Sequence, residues 1–126
     1  MNNLNQDKII KFNNLLYNNQ SKMKVLTRTK RYLDYNYWDN INLNKLAVLQ
    51  GFSKYHLLML FKLYFGLSPR QYQINKRIEK SKENLKHGMK VSQSCYSVGF
   101  NSVTTFSSLF KRKTGFTPKE FQKINI

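Results

Sequence analysis

The stretch GFSKYHLLMLFKLYFGLSPRQY, residues 51–72, decides the fold, because it returns later in the chain as GFNSVTTFSSLFKRKTGFTPKEF, residues 99–121. Over the 21 positions that begin at Ser53 and at Ser102, seven residues are identical between the two copies. Upstream of Ser53 the offset between the copies falls from 49 to 48, so Asn101 is a one-residue insertion in the second copy. The repeat predicts two subdomains of the same fold.

Each copy has the start and stop signals of short helices. Ser53 can cap a helix that ends at Gly66, and Ser68-Pro69 can begin a longer helix that reaches about Lys86. Ahead of Ser53, Asn42 can cap a short helix that Gly51 ends. This short helix, the turn at Gly51 and the second helix begun by Ser53 form the layout of a helix-turn-helix, whose second helix enters the DNA major groove. The sequence therefore predicts an all-α fold with two homeodomain-like helix-turn-helix subdomains. The signals of the second copy are Gly99, Ser102, Gly115 and Thr117-Pro118.

The repeat divides the chain into four expected segments. We expect an N-terminal extension over residues 1–24 that is helical or partly disordered, a first helix-turn-helix subdomain over 25–68, a linker helix over 69–88 and a second subdomain over 89–126. Within them we predict a helix over Val25–Tyr37, and loops at Asn2–Asn5 and at Asn18–Ser21. The apolar residues of the extension could pack on the domain, pair with a second copy of the chain or belong to a disordered segment; they are Ile9, Ile10, Phe12, Leu15 and Leu16.

The charge balance favours a polyanionic partner. Lys and Arg number 22 against 6 Asp and Glu, which gives a formal net charge of +16. No apolar run approaches the roughly 20 residues that a membrane-spanning helix needs, and no signal-peptide pattern opens the chain. We therefore expect a cytoplasmic protein that binds nucleic acid and not a membrane.

Few residues could carry metal or catalytic chemistry. Cys95 is the single cysteine, which excludes an internal disulfide and a cysteine-built zinc site. His56 and His87 fall on different predicted helices with no carboxylate cluster nearby, so we expect no metal ion and no cofactor. Nothing in the sequence combines a nucleophile, a base and an oxyanion donor, which argues against an enzyme.

The two copies resemble the DNA-binding domain of the AraC/XylS family of bacterial transcription regulators. The resemblance extends over roughly Val25–Ile124 and rests on LNKLA at 43–47, on the two repeated stretches, and on Arg77 and Leu85. It implies two helix-turn-helix subdomains joined by a long linker helix at about Pro69–Lys86. It also implies that the two recognition helices enter successive major grooves on one face of double-stranded DNA.

The resemblance carries DNA contacts onto particular positions of this chain. Residues expected to contact bases are Lys54, Tyr55, Leu58 and Met59 in the first recognition helix and Ser102, Val103, Thr104, Ser107 and Ser108 in the second. Residues expected to contact phosphates are Lys62, Arg70, Ser92, Lys111, Arg112 and Lys113. Arg77 is expected to anchor the two halves to each other more than to read bases.

This sequence departs from the family pattern at the base-contacting positions. Met59 and Ser108 occupy places where the family commonly has arginine, and neither predicted recognition helix contains an arginine. Arginine bound to guanine is the commonest specific base contact, so what remains is apolar contact with thymine methyl groups. We therefore expect an AT-rich site that is read through methyl contacts and DNA shape. Ser94, where the family prefers an aliphatic residue, is expected to weaken the second subdomain.

These observations favour a sequence-specific transcription regulator that contacts RNA polymerase or a competing regulator from its asymmetric site. Many family members have a sensing and dimerising domain ahead of this one, and 126 residues leave no room for it. We therefore expect a stand-alone monomer, or else a piece of a longer protein. Two alternatives stay open. One is a weakly specific, nucleoid-like DNA binder; the other is a protein-interaction module that uses the apolar pair Leu58-Met59.

Overall fold

The computed structural model describes residues 3–125, and the side chains of all of these except residues 3–5 and 15–18. Within that range every regular element is an α-helix, which confirms the predicted all-α fold. None of these helices is both long enough and apolar enough to cross a membrane. The helices are α1 (Asn3–Tyr35), α2 (Leu43–Leu49), α3 (Lys54–Phe65), α4 (Pro69–Lys86), α5 (Val91–Ser97), α6 (Val103–Thr114) and α7 (Pro118–Asn125).

The helix starts and stops read from the sequence are confirmed. Ser53 and Ser102 each accept a hydrogen bond from the backbone N–H three residues later, at 3.1 and 3.2 Å, which caps α3 and α6. Ser68 and Gln71 form a reciprocal capping box at the start of α4. Gly66 and Gly115 end α3 and α6 in the left-handed backbone conformation. The repeat therefore begins and ends its recognition helices in the same way in both copies.

The N-terminal extension is helical, which was one of the two states expected for it, but the loops predicted within it are wrong because α1 is one continuous helix. It runs through Asn18–Ser21, where we predicted a loop, and it begins at Asn3 instead of Val25. The reason is local: neither glycine nor proline occurs before Gly51, and asparagine costs a helix only ~0.7 kcal/mol relative to alanine. Met1 and Asn2 lie outside the described residues.

The described side chains in the first 20 residues of the chain, those of residues 6–14 and 19–20, are exposed. Ile9, Ile10 and Phe12 are each more than half exposed, and the first buried side chain along the helix is Val25 among the described residues. The side chains of Leu15 and Leu16, which we also assigned to this apolar set, lie outside the described residues. The alternative in which these residues cover the domain is therefore excluded for Ile9, Ile10 and Phe12.

Helix α4 belongs to both copies of the repeat. It packs on α1 and α3 in what we call the first unit, α1–α4, and on α5 and α7 in the second unit, α4–α7. Gln73 of α4 donates to the backbone carbonyls of Tyr37 and Asp39, at 3.1 and 2.8 Å. Gln122 of α7 likewise donates to two carbonyls, that of Leu85 in the last turn of α4 and that of Met89 in the α4–α5 turn, at 3.1 and 2.8 Å. The two glutamines, which are identical in the repeat, thus each hold the turn that follows the first long helix of their unit.

The two units have different cores. A single buried cluster fills the second unit, whereas the first unit has two smaller clusters. The second-unit cluster is Ile78, Leu85, Cys95, Val98, Phe100, Phe106 and Phe110. The first-unit clusters are Val25, Ala47 and Leu57, and Leu26, Leu33 and Phe61. Tyr64 of α3 is 48% exposed and lies outside both first-unit clusters.

Among the side chains that the structure describes, the buried polar atom without a hydrogen-bond partner lies in the first unit, whereas Ser94 led us to expect a weakness in the second. Gln50 occupies the position that Val98 fills in the second copy, and its Oε1 is buried without a hydrogen-bond partner. Ser94 is fully buried, but its hydroxyl donates to the carbonyl of Ser81 at 3.4 Å. An unpaired buried polar atom costs about 1–3 kcal/mol, so the first unit bears the larger polar cost.

The two units meet where the turn after α1 touches the turn before α6. Gly99 has a φ of +103°, and a Cβ on it would lie 2.4 Å from the carbonyl oxygen of Trp38. Beside this contact Arg77 is buried, with its Nε donating to the Tyr37 carbonyl at 2.7 Å and an Nη donating to the Asp39 carbonyl at 3.1 Å. Its guanidinium also lies 5.4 Å from the centre of the Phe100 ring in the second unit. The expectation that Arg77 anchors the two halves is confirmed.

Substituting Gly99 should destabilise the protein more than substituting its counterpart Gly51. Both glycines have positive φ, but a Cβ at Gly51 meets nothing within 4 Å. We expect Gly51→Ala to lower the free energy of unfolding by about 1–2 kcal/mol through backbone strain alone. Gly99→Ala adds a clash with backbone, which costs a further ~1–3 kcal/mol. Urea unfolding followed by circular dichroism measures both; equal losses would show that the Trp38–Gly99 contact is not tight in solution.

Tyr72 should make the stability fall in alkaline solution. Its hydroxyl donates to the carboxylate of Asp34, which also pairs with Lys76 at 3.4 Å. Burial, and then the neighbouring Asp34, raise the pKa of Tyr72 from 10.0 to about 12. A raised pKa means that the folded state holds the proton more tightly, so the stabilisation is complete below pH 10 and is lost as the pH rises toward 12.

The control for this effect is Tyr72→Phe, the residue that the second copy has at Phe121. The difference in Tm between the wild-type protein and this variant should shrink as the pH rises from 10 to about 12, a window set by the two pKa values. A difference that stays constant over that window would contradict the Tyr72–Asp34 interaction.

Candidate nucleic-acid interface

The first recognition helix, α3, exposes an apolar stripe. Tyr55, Met59 and Leu63 follow one another at four-residue spacing, so they share one face of the helix, and they are 72%, 52% and 76% exposed. Exposed lysines, Lys54 and Lys62, lie beside this stripe in the sequence. Large apolar side chains exposed at helical spacing indicate a contact surface more than a solvated one.

The residues of α3 that we expect to contact bases differ in their exposure. Lys54, Tyr55 and Met59 are exposed, whereas Leu58 is half-buried. Leu63 was missed by the sequence reasoning, although its spacing of four from Met59 was visible. The apolar surface of α3 is therefore Tyr55, Met59 and Leu63, instead of the pair Leu58-Met59.

The second recognition helix, α6, exposes a mostly polar face. Thr104 and Ser108 are exposed and Ser107 is half-buried, whereas Val103 packs against the core of the second unit. Ser102 precedes the helix, and its hydroxyl accepts the capping N–H of Thr105 at 3.2 Å. Of the five residues expected to contact bases here, Ser102, Thr104 and Ser108 are exposed.

The inference that neither recognition helix contains an arginine is wrong. Helix α6 extends to Thr114 and includes Arg112 in its last turn, because the first residue able to end the helix is Gly115. Arg112 stands four residues after Ser108, which places it on the same face one turn farther along. Helix α3, Lys54–Phe65, contains no arginine.

The cations expected to contact phosphates are exposed and are not engaged in ion pairs. Within the described part of the chain the ion pairs join Asp34 to Lys76, Glu83 to Lys80 and Glu79 to Lys82, all away from the recognition helices. Three cations occupy the last turn of α6, where they also oppose the negative end of the helix dipole. The exposed cations of the set are Lys62, Arg70, Lys111, Arg112 and Lys113.

Ser92 lies in the first turn of α5 and is exposed. The residue before this helix, Lys90, makes no side-chain capping bond, whereas its counterpart in the first copy, Asn42, caps α2 by accepting from the N–H of Lys45. The first-turn N–H groups of α5 therefore have no side-chain acceptor. Such groups can bind a phosphate oxygen.

The single cysteine and the two histidines each pack against, or lie close to, other groups of the protein. Cys95 is fully buried in the second-unit core, and burial raises the pKa of its thiol. His56 stacks on Phe52 with the ring centres 4.7 Å apart, and the Nδ1 atom of His87 lies 2.7 Å from the carbonyl oxygen of Glu83. Over residues 3–125, His, Cys, Asp and Glu nowhere form a group of three that could hold a metal ion.

Comparison with known proteins gives a consistent result. Residues 46–124 match the helix-turn-helix domain family. An uncharacterised helix-turn-helix transcriptional regulator from the cgkA 5′ region of Pseudoalteromonas carrageenovora is 33% identical over 99 residues, which are 79% of this chain and 59% of the relative. This chain therefore spans less than two thirds of that regulator's length.

Solved structures share the arrangement of helices. A transcriptional regulator with an AraC-type DNA-binding domain from Chromobacterium violaceum superposes with a TM-score of 0.73 at 25% identity, over 82% of this chain and 93% of that one. The DNA-binding domain of the global transcriptional factor AdpA, solved in complex with a target DNA, superposes with a TM-score of 0.68 at 19% identity, over 82% and 90% of the two chains. The AdpA likeness bears on the fold alone.

Proposed function

This chain belongs to the AraC/XylS family of helix-turn-helix transcription regulators, and from that premise we propose that it binds double-stranded DNA sequence-specifically to regulate transcription. One observation carries the proposal: two recognition helices are held on the same scaffold but expose different side chains. A shared scaffold with two different reading faces suits an asymmetric site. The net charge of +16 supplies the long-range attraction to DNA.

We propose further that α3 and α6 read adjacent major grooves and that the protein acts as a monomer. The repeated unit, with its glutamine-fastened turns, supports a fixed spacing between the two helices. Reading two grooves from one rigid protein favours some bending of the DNA, and the energy of bending depends on sequence. From such a site the protein would contact RNA polymerase or a competing regulator.

The site should be rich in A·T pairs, above all under α3. The stripe of Tyr55, Met59 and Leu63 offers no bidentate donor for guanine, but it can contact the methyl group of thymine. Helix α6 offers Thr104 and Ser108 instead, whose hydroxyls are less selective. The proposed base contacts are Lys54, Tyr55, Leu58, Met59, Ser102, Val103, Thr104, Ser107 and Ser108, joined now by Leu63. The proposed phosphate contacts are Lys62, Arg70, Ser92, Lys111, Arg112 and Lys113.

Selection of binding sites from random duplexes tests the function directly. At an ionic strength of ~0.15 M we expect a site with two unlike blocks whose centres lie one helical turn, about 10 base pairs, apart. The block under α3 should be the richer in A·T, and the selected duplex should bind at least ~1,000-fold more tightly than scrambled DNA. Affinity that follows only A·T content would favour a nucleoid-like binder. Loss of DNA binding at this ionic strength would favour a protein partner for the apolar stripe of α3.

Placing an arginine at Met59 should change which base is preferred. In Met59→Arg the new guanidinium can donate two hydrogen bonds to guanine, worth about 1–3 kcal/mol, so one position of the selected site should shift from T·A toward G·C. Met23→Arg is the matched control: it makes the same change at a half-exposed methionine of α1, away from the recognition helices. Repeated selection with both variants measures the effect. If both raise affinity for all sequences equally and leave the preference unchanged, Met59 does not face the bases.

A further inference from the structure

A cavity at the junction of the two units is lined by two arginines and by no acidic residue. Its volume is about 220 Å³, and its walls come from the turn after α1, from α4 and from the turn before α6. Arg70, Arg77 and Asn101 also line an adjoining groove of about 250 Å³ beside α6. Neither lining contains an aspartate or a glutamate. The residues around the 220 Å³ cavity are Trp38, Asn40, Arg70, Arg77, Gly99 and Asn101.

Arg77 is a buried cation without an ion-pair partner among the described residues. It is 6% exposed, and its hydrogen bonds go to the neutral carbonyls of Tyr37 and Asp39. Burial, and then the like charge of Arg70, lower the pKa of Arg77, and the opposite charge of Asp39 offsets them only in part. A buried charge is costly unless an opposite charge accompanies it. Two guanidiniums at one cavity therefore favour an anion there.

Asn101 contributes a second, independent observation. It is the single residue that the second copy has and the first copy lacks, and it stands at the wall shared by the cavity and the groove. Its side chain and that of Asn40 carry amide N–H donors, one from each unit. The chain has thus added a polar residue at the point where its two units and both arginines meet.

We propose that this junction cavity is a binding site for a phosphate-type oxyanion, with Arg70 and Asn101 as ligands and Arg77 supplying the buried charge. Arginine is the side chain best suited to phosphate, because its planar fork donates two hydrogen bonds at once. The anion comes either from the DNA backbone, between the segments read by α3 and α6, or from solution. In both cases its binding fixes the first unit against the second and so sets the spacing of the recognition helices. The DNA-derived case rests on the function proposed above, and the free anion does not.

The test for a free anion uses the full chain without DNA. Inorganic phosphate is titrated against chloride at constant ionic strength, and Tm is recorded. A free-anion site predicts a saturable rise in Tm, because a ligand that binds only the folded state stabilises it. Arg70→Gln and Asn101→Ala should weaken the apparent phosphate affinity, the former at least ~10-fold, as expected for a lost charge-assisted hydrogen bond. Both residues are exposed, so both variants should fold.

The control is Arg31→Gln, which removes the same charge from an exposed position of α1 that lines neither the cavity nor the groove. It should keep the response of the wild-type protein to phosphate. If the control loses the response equally, or if the rise in Tm does not saturate, phosphate acts on the charge of the whole protein and the free-anion site is refuted.

The test for a DNA-derived phosphate uses the selected duplex. Single phosphates are replaced in turn by uncharged methylphosphonate, and the affinities of the wild-type protein and of Arg70→Gln are compared. A phosphate seated in the cavity predicts one position, between the two blocks, whose neutralisation weakens the wild-type protein but not Arg70→Gln. If no position shows this coupling and phosphate gives no saturable rise in Tm, the proposal is overturned. Should the chain not bind DNA, the titration in solution decides alone.

Discussion

The architecture depends on two backbone carbonyls, those of Tyr37 and Asp39, and on the α4 side chains that bind them. The chain turns between α1 and α2 there, so no helix supplies donors to these oxygens. Gln73 and Arg77 supply them instead, with four hydrogen bonds between 2.7 and 3.1 Å. The turn is thereby fixed to α4, which brings Tyr37 onto the second-unit core and sets the Trp38 backbone against Gly99. Each oxygen accepts from both side chains, so it would become unpaired, at a cost of about 1–3 kcal/mol, only if both donors were lost.

Much of the fold could be read from the sequence because its signals are local. Capping serines and stop glycines act within four residues, so the bounds of α3, α4 and α6 follow from Ser53, Ser68 and Ser102 and from what ends each helix. The length of α1 could not be read in this way, since it depends on the absence of breakers and not on any signal that is present. The junction could not be read either: the repeat revealed the identity of Gln73 and Gln122, but their acceptors lie 33–37 residues away in sequence. On α3 the structure shows that Leu58 is half-buried and that Leu63 is exposed. The sequence alone could not distinguish these two leucines.

The two units show how one scaffold tolerates different contents. The aromatic pair that links each recognition helix to the next helix is kept: Phe61 and Tyr72 lie 5.9 Å apart and Phe110 and Phe121 lie 5.3 Å apart, both edge to face. Around this pair the second unit has a contiguous apolar cluster, whereas the first has Gln50 where the second has Val98. The exposed faces of the recognition helices show the reverse: the face of α3 in the first unit is apolar, and the face of α6 in the second unit is polar. The two units thus differ in the polarity of both the core and the exposed helix face, although their helices are arranged in the same way.

Helix α4 has a consequence for how the chain can be divided. A fragment that stops before Pro69 would lack Gln73 and Arg77, and one that starts after Lys86 would lack Ile78 and Leu85 of the second-unit core. The 18 residues of α4 therefore have to accompany either half, and they can be present only once in the intact protein. The first and second units are for this reason not independent domains joined by a flexible linker. Both units need the same copy of α4. A change of DNA specificity therefore has to be engineered at the exposed faces of α3 and α6, and not by exchanging halves between proteins.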